Sequence, residues 1–501
     1  MFNFTRGFMS RKWYILIISI LIYLPVAIDA TVLHIAIPTL SEVFALDNNQ
    51  MLWVIDIYAL MMAVFLLPMG ALGERIGYKR LLIIGAAIFG IASILAAFSI
   101  SALMLILARV ILALGASMII PATLAALRTE FEDEKQRNQA LGLWVVAGGG
   151  GAALGPLVGG VLLEYFSWGS IFLINIPLVL IVLMIGGRIL PKQIGNPEKK
   201  IDIRAAILLM VAILSLIYGV KSAMKTADLQ ALAILLFGIV LLYLFVRIQN
   251  KAAEKLINFD LFGYAGIKFG FLISFIAMIA LVGFELLISQ ELQFVLGYSA
   301  LEAGLYILPF MLTISLGGIF SSTLLNRFGY KKVAVWGLIF SAVAMWGLSQ
   351  TQFAEQIIQA SLFMVLLGSS IIIAFLAATS AILSSAPPEQ ATAAGAIEGM
   401  SYELGTGLGV TLFGLIAAAI YQYYFTQDTA INSQYTELAT SSLLETLHSL
   451  SNISEPAQAS IQLLAFDAFT AAHSIVLLLS SMILFVLALF IQIFWKQEHN
   501  V

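Results

Sequence analysis

The sequence has no cysteine and only four histidines, His34, His448, His473 and His499, scattered over 501 residues. Disulfides, thiol catalysis and thiolate metal sites are therefore excluded, and the histidine spacing fits no metal-ligand pattern. Charge is scarce as well. Only 11% of residues are charged, 61% are hydrophobic and the mean hydropathy is +1.01, whereas a water-soluble domain carries roughly a quarter charged residues. A net charge of −3 gives no reason to expect nucleic acid as a partner. The run Gly148 to Gly151 lacks the Lys-Ser/Thr that would make it a phosphate loop. With no His-Asp or metal constellation and no soluble domain, the composition argues against an enzyme and against a cofactor.

What is present is a series of long apolar runs. A helix needs about 20 apolar residues to cross a bilayer, and punctuation by charge and turn residues predicts 14 spans. They fall at about 13–37, 50–70, 80–99, 102–124, 138–163, 168–189, 203–220, 230–248, 266–290, 302–324, 332–350, 357–383, 391–421 and 470–495. The first run is longer than a signal peptide and has no cleavage pattern, so it reads as a retained helix. With both termini on the inner side of the cell membrane, the inner segments hold all 25 basic residues except Lys221, Lys225 and Arg109, as the positive-inside rule requires. Lys221 and Lys225 fall on the outer side and Arg109 within the fourth span.

A repeat fixes the architecture. Arg75-Ile-Gly-Tyr-Lys-Arg80 follows the second span and Arg327-Phe-Gly-Tyr-Lys-Lys332 follows the tenth. In a plain duplication of six helices the second copy would follow the eighth, so two helices have been inserted between the halves. The expected units are residues 1–190, a six-helix bundle; 191–260, the inserted spans seven and eight; and 261–501, a second six-helix bundle. Paired bundles of this kind rock around a site near the midplane. The insert has no acid in its apolar cores and is expected to serve packing or lipid contact only. An outer segment of about 422–468, free of Lys and Arg, carries Leu443, Leu447 and Leu450 at helical spacing and predicts a short helical hairpin. Asn452-Ile-Ser454 would be a glycosylation sequon only in a secretory-pathway host.

Four stretches resemble the 14-helix drug/proton antiporters of the major facilitator superfamily. The loop Gly70-Ala-Leu-Gly-Glu74-Arg75-Ile-Gly77-Tyr-Lys79-Arg80 looks like that superfamily's loop motif, with Glu74 in place of aspartate. Arg109 looks like its fourth-span arginine. Gly142 with Gly151-Ala-Ala-Leu-Gly155-Pro156-Leu-Val-Gly159-Gly160 resembles the antiporter signature of span five. Asp29, Thr31 and Pro38 lie in a first-helix motif where His34 replaces asparagine. Through Leu52-Trp53-Val-Ile-Asp56-Ile-Tyr58 and Ala396-Ile-Glu398-Gly-Met-Ser-Tyr402-Glu403, the chain is similar to quaternary ammonium and biguanide exporters of the QacA and SmvA type. The resemblance implies a major facilitator fold, export of lipophilic cations driven by protons with no cofactor, and a monomer contacting membrane lipid. Asp29, Glu403, Glu398 and Arg109 would then couple protons, with Asp56, Trp53, Tyr58, Tyr402 and Glu285 binding substrate. Sister exporters of tetracycline, fatty acids or siderophores are the alternative.

The acids carry the chemistry. An ionised carboxylate at the bilayer centre costs roughly 2.5–3.5 kcal/mol, and removal from water favours its neutral form, so such acids suit exchange of a proton for a cation. Asp29 lies about 24 Å along the first helix from Trp13, and Asp56 about 9 Å from the start of the second span. Asp29 is either functional or a packing carboxylate near a span end. Trp53 shares a face with Asp56, either to hold a cation against its ring or to anchor the helix at the interface. Glu398 and Glu403 are about 140° apart around one helix and are not expected to share a narrow site, with Glu403 the first candidate for the proton. Glu285 is near an outer end, where snorkelling competes with function, and Glu291 and Glu302 are expected to face water. Arg109 needs a partner: the resemblance implies acids and proton coupling, the other reading being a structural ion pair. Gly151, Gly155 and Gly159 form a side-chain-free stripe expected to bring the bundles together, with Pro156 bending the helix. Gly77 permits a tight turn in a loop whose Glu74 and basic residues would form a gate.

Overall fold

The structure is a computed structural model that describes residues 11–190, 195–196, 202–226, 228–252, 255–387, 390–427, 442–450 and 455–495. Arg6, Lys192, Lys199, Lys200, Lys496 and the Asn452–Ser454 sequence lie outside the described residues. Without water to satisfy the backbone, an apolar run must bond its own amides, and helices are the result. The elements are α1 (Arg11–Phe44), α2 (Asn48–Ile76), α3 (Tyr78–Ala97), α4 (Ala102–Glu130), α5 (Glu134–Tyr165), α6 (Ser170–Leu173), α7 (Asn175–Ile189), α8 (Ile203–Thr226) and α9 (Leu229–Lys251). They continue with α10 (Ala265–Gln290), α11 (Ala300–Tyr306), α12 (Leu308–Phe328), α13 (Tyr330–Ser349), α14 (Ile357–Ser385), α15 (Ala391–Gln427), α16 (Leu443–Leu450) and α17 (Glu455–Phe494). Among the described residues 13 helices are long and apolar enough to cross a membrane, and 14 when α11 and α12, bent by 50°, count as one span.

Polar residues mark the helix starts. Asp47 and Gln50 form a reciprocal capping box at α2, and Ser299 with Glu302 does the same at α11. The two repeated loops share their backbone: Gly77 has φ 88° and Gly329 φ 76°, the left-handed region that a side chain disfavours. They share a contact too. Lys79 Nζ donates to the carbonyls of Gly187 (2.7 Å) and Leu190 (2.9 Å) at the end of α7, and Lys331 Nζ to Gln492 O (3.0 Å) near the end of α17. Each lysine thus satisfies terminal carbonyls of the last helix in its half.

Packing repeats in the same way. In the first half α1 pairs with α5, α4 with α2 and α3, and α3 with α7. In the second, α10 pairs with α15, α14 with α12 and α13, and α13 with α17. The halves meet along two seams related by the same correspondence, α2 against α15 and α5 against α11 and α12. The inserted α8 and α9 form a hairpin packed chiefly on itself, with α8 touching α2 and α15. Only 17% of the apolar window of α9 is buried, as for a lipid-facing helix.

The segment 422–468, where a short helical hairpin is expected, is described in part. Among the described residues α15 runs on to Gln427, α17 begins at Glu455, and the short α16 lies between them. Phe425, Leu443, Leu450, Ile461 and Phe469 form a separate apolar cluster, and Tyr421 donates to Thr446 Oγ1 at 2.7 Å. Apolar contact among these helices organises this end. Asn48 N donates to Glu445 Oε1 (3.2 Å), tying α16 to the start of α2.

Candidate functional site

A cavity of about 1380 Å³ lies between the halves. Its walls come from α1, α2, α4 and α5 on one side and α10, α12, α14 and α15 on the other. It extends to Glu74, Arg128, Asp202 and Lys255, so it reaches the end of the bundle that carries the basic loops. At the opposite end the halves are joined. His34 Nδ1 lies 3.0 Å from Glu285 Oε2, Ser289 Oγ donates to His34 O (2.6 Å), and Gln293 Nε2 donates to Ile35 O (3.2 Å). Glu285 is 3% exposed; it does not snorkel but bonds α10 to α1.

Glu398 and Glu403 both face the cavity, together with Tyr23, Tyr58, Tyr402 and Trp144. The expectation that the two acids could not share a site assumed a narrow one, and a cavity this wide accommodates both. Glu398 Oε1 accepts from Thr379 Oγ1 at 2.9 Å, whereas Glu403 has no hydrogen bond or ion pair among the described residues. Aromatic faces surround it: Tyr23 stacks on Trp144 at 4.1 Å between centroids, and Phe375 meets Tyr402 edge-on at 5.5 Å.

Asp29 and Arg109 lie behind the wall and are buried. Arg109 Nη1 donates to Asp29 Oδ2 at 3.2 Å and Nη2 to Ile55 O at 3.4 Å, and the guanidinium carbon sits 4.9 Å from the centroid of Tyr58. Tyr58 itself lines the cavity, so it stands between the pair and a bound molecule.

Three expectations about charge are corrected. Lys221, near the outer end of its span by the loop count, is buried, with Nζ 2.7 Å from Asp56 Oδ2, although the insert is expected to serve packing or lipid contact only. The inserted helices therefore do reach the polar interior. Asp56 Oδ2 also accepts from Thr411 Oγ1 at 2.6 Å, so one carboxylate oxygen joins α2, α8 and α15. Trp53 does not line the cavity; its ring faces Lys221, with Nζ 4.0 Å from the centroid. Glu291 does not face water: it is 3% exposed, accepts from Thr470 Oγ1 (2.7 Å) and lies 3.4 Å from His473 Nδ1. A buried carboxylate requires such partners. Glu302 is exposed, as expected.

The glycine stripe is corrected in part. A Cβ on Gly151, Gly155 or Gly159 would meet Ala27, Thr31 or Val32, so the stripe admits α1 of the same half, where Thr31 Oγ1 donates to Ala152 O at 2.6 Å. Gly160 is the residue that meets the other half: its Cβ would lie 2.7 Å from Ala300 O. Pro156 contributes its carbonyl, 3.1 Å from where a Cβ on Gly304 would stand. In the loop, Arg75 and Arg80 are exposed, Lys79 binds carbonyls of α7, and Gly70 and Glu74 line the cavity.

The model of the Major Facilitator Superfamily matches residues 19–410. The chain belongs to that superfamily. It is a multi-pass membrane transporter and not an enzyme. The transporter is 47% identical to the methyl viologen resistance protein SmvA of Salmonella typhimurium, over 96% of this chain and 97% of that one. It is 35% identical to the multidrug efflux pump LfrA of Mycolicibacterium smegmatis, over 87% and 86% of the two chains. In fold it resembles the crystal structure of a bacterial homolog to the human lysosomal transporter Spinster, with TM-score 0.69, 17% identity and coverage of 99% and 100%.

Sequence reasoning missed Lys221, Thr411, Thr379 and the His473–Glu291 contact. Lys221 ends an apolar run and so reads like any interfacial lysine. The hydroxyls are single polar residues in helices, which no spacing rule distinguishes.

Proposed function

We propose that the transporter is a proton-coupled antiporter that exports lipophilic organic cations, among them quaternary ammonium compounds, biguanides and dyes, across the cell membrane. The observation that carries this reading is a Glu403 without a partner among the described residues, with Glu398 nearby, on the wall of a cavity lined in part by aromatic rings. A carboxylate with no protein cation beside it can hold a proton or an organic cation but not both. Tyrosine and tryptophan faces attract an organic cation without demanding directional hydrogen bonds. The resistance and efflux functions in the names of the two relatives favour export, and methyl viologen is itself a cation.

The basic loops would face the cytoplasm with both termini, which makes the cavity open to the cytoplasm and closed by His34–Glu285 on the outside. A cation entering from the cytoplasm displaces a proton from Glu403 or Glu398, and rocking of the halves exposes the site outward, where a proton takes the cation's place. Protonation of Asp29 would remove the charge that holds Arg109, which links a second protonation to helix movement. With that second proton, exchange for a monovalent cation moves one net charge, and one charge crossing about 100 mV supplies about 2.3 kcal/mol, roughly a fifty-fold gradient. A cavity lined by both halves of one chain supports a monomer as the working unit.

The test is uphill ethidium efflux in inverted vesicles, with and without a protonophore, for wild type and for Asp29→Asn, Asp56→Asn, Glu398→Gln and Glu403→Gln at matched expression. Protonophore-sensitive efflux that is lost in Glu403→Gln supports the reading. Wild-type vesicles that move no cationic dye at any pH, but do move tetracycline, a fatty acid or a siderophore, would replace it with the sister-exporter reading.

A further inference from the structure

We propose that Lys221 is a tethered cation that fills the Asp56 subsite of the cavity wall and is displaced by a cationic substrate, which makes this residue of the inserted helices a determinant of which cations the transporter takes. The inference rests on the lipophilic-cation reading of the cavity. Lys221 is 3% exposed and is held by a carboxylate at 2.7 Å and an indole face at 4.0 Å. Carboxylate and aromatic face are the two groups that recognise an organic ammonium ion. The protein's own ammonium thus sits where an exogenous one would be bound.

Asp56 also belongs to the cavity wall, with its carboxylate buried just behind the surface, so a cation in the cavity reaches that carboxylate when Lys221 swings away. Its second oxygen, Oδ1, has no hydrogen-bond partner among the described residues. The charge balance requires competition. Arg109 neutralises Asp29 and Lys221 neutralises Asp56, so with Lys221 in place this wall presents no net negative charge. Withdrawal of Lys221 restores one. The geometry permits withdrawal: a lysine ends a flexible four-carbon stem, and α8 belongs to a hairpin packed chiefly on itself. The ammonium can leave Asp56 without either six-helix half unpacking, while Thr411 still holds Oδ2.

Binding of tetraphenylphosphonium to the purified full-length protein, measured by calorimetry, tests this. Lys221→Met and Lys221→Gln are expected to bind about tenfold more tightly, about 1.4 kcal/mol. Lys221→Arg stays near wild type, and Lys221→Met combined with Asp56→Asn loses the gain. Folded neutral variants with wild-type or weaker affinity overturn the proposal, as does a gain that survives Asp56→Asn. Wild type that binds no tetraphenylphosphonium sinks the lipophilic-cation reading beneath it, a distinct outcome. If the neutral variants do not fold, the rate of Lys221 acetylation in wild type decides: saturating cation must accelerate it, and an unchanged or slower rate overturns the proposal.

Discussion

Replacing Gly160 by valine should pry the two halves apart at the end opposite the basic loops. A Cβ there would lie 2.7 Å from Ala300 O and 2.9 Å from Leu301 Cα. Both are backbone atoms, so no rotamer change relieves the overlap, and α5 must separate from α11. Inserting carbon into a packed contact typically costs about 1–3 kcal/mol, here charged to the state in which α5 and α11 touch. At about 1.4 kcal/mol per tenfold, the ratio of this state to one that separates them falls roughly 5- to 150-fold. Because the chain has no cysteine, spin labels at Glu42→Cys and Glu355→Cys, both exposed at that end, report only the introduced pair. Gly160→Val should add a longer-distance population in pulsed electron resonance, with Gly160→Ala intermediate. Gly155→Ala, whose Cβ meets Thr31 within one half, should lower stability without moving the distances. A folded Gly160→Val protein with the wild-type distance distribution would refute the reasoning.

Three further outcomes are expected. Arg109→Met leaves Asp29 as an unpaired buried charge and should cost about 3–5 kcal/mol in unfolding free energy; adding Asp29→Asn should restore most of the stability but no proton-driven efflux. Glu403→Gln should lower protonophore-sensitive efflux by at least tenfold, while Glu302→Gln, exposed at a helix start, leaves transport unchanged and costs only part of a cap, about 0.5–1 kcal/mol by thermal unfolding. Lys79→Ala and Lys331→Ala should each lower stability by about 1 kcal/mol after allowance for solvent, with Lys79→Ala the larger loss because it leaves two carbonyls rather than one without their donor.

Much of the site was legible because an acid in an apolar run is conspicuous. Asp29, Asp56, Glu285, Glu398 and Glu403 needed no structure to be singled out, and Arg109 demanded a partner on energetic grounds alone. Which partner it takes was not legible. Asp29 is 80 residues away in sequence and Glu285 is 251 residues from His34, and nothing local encodes either distance. Glu291 shows the same limit from the other side: at the end of a span it reads as solvated, until α17 brings Thr470 and His473 over it.

The sequence by itself determined that the chain spans a membrane 13 or 14 times and pointed to a duplication with an insert, because hydropathy and repeated turn chemistry are local and cumulative. Only the tertiary structure decided how the charges are shared. It pairs Asp56 with a lysine of the insert, turns Trp53 toward that lysine, and leaves Glu403 as the cavity acid without a partner among the described residues. The physical reason is that a buried charge takes whichever counter-charge the packing brings within reach, and packing between distant helices is a property of the assembled bundle rather than of any segment.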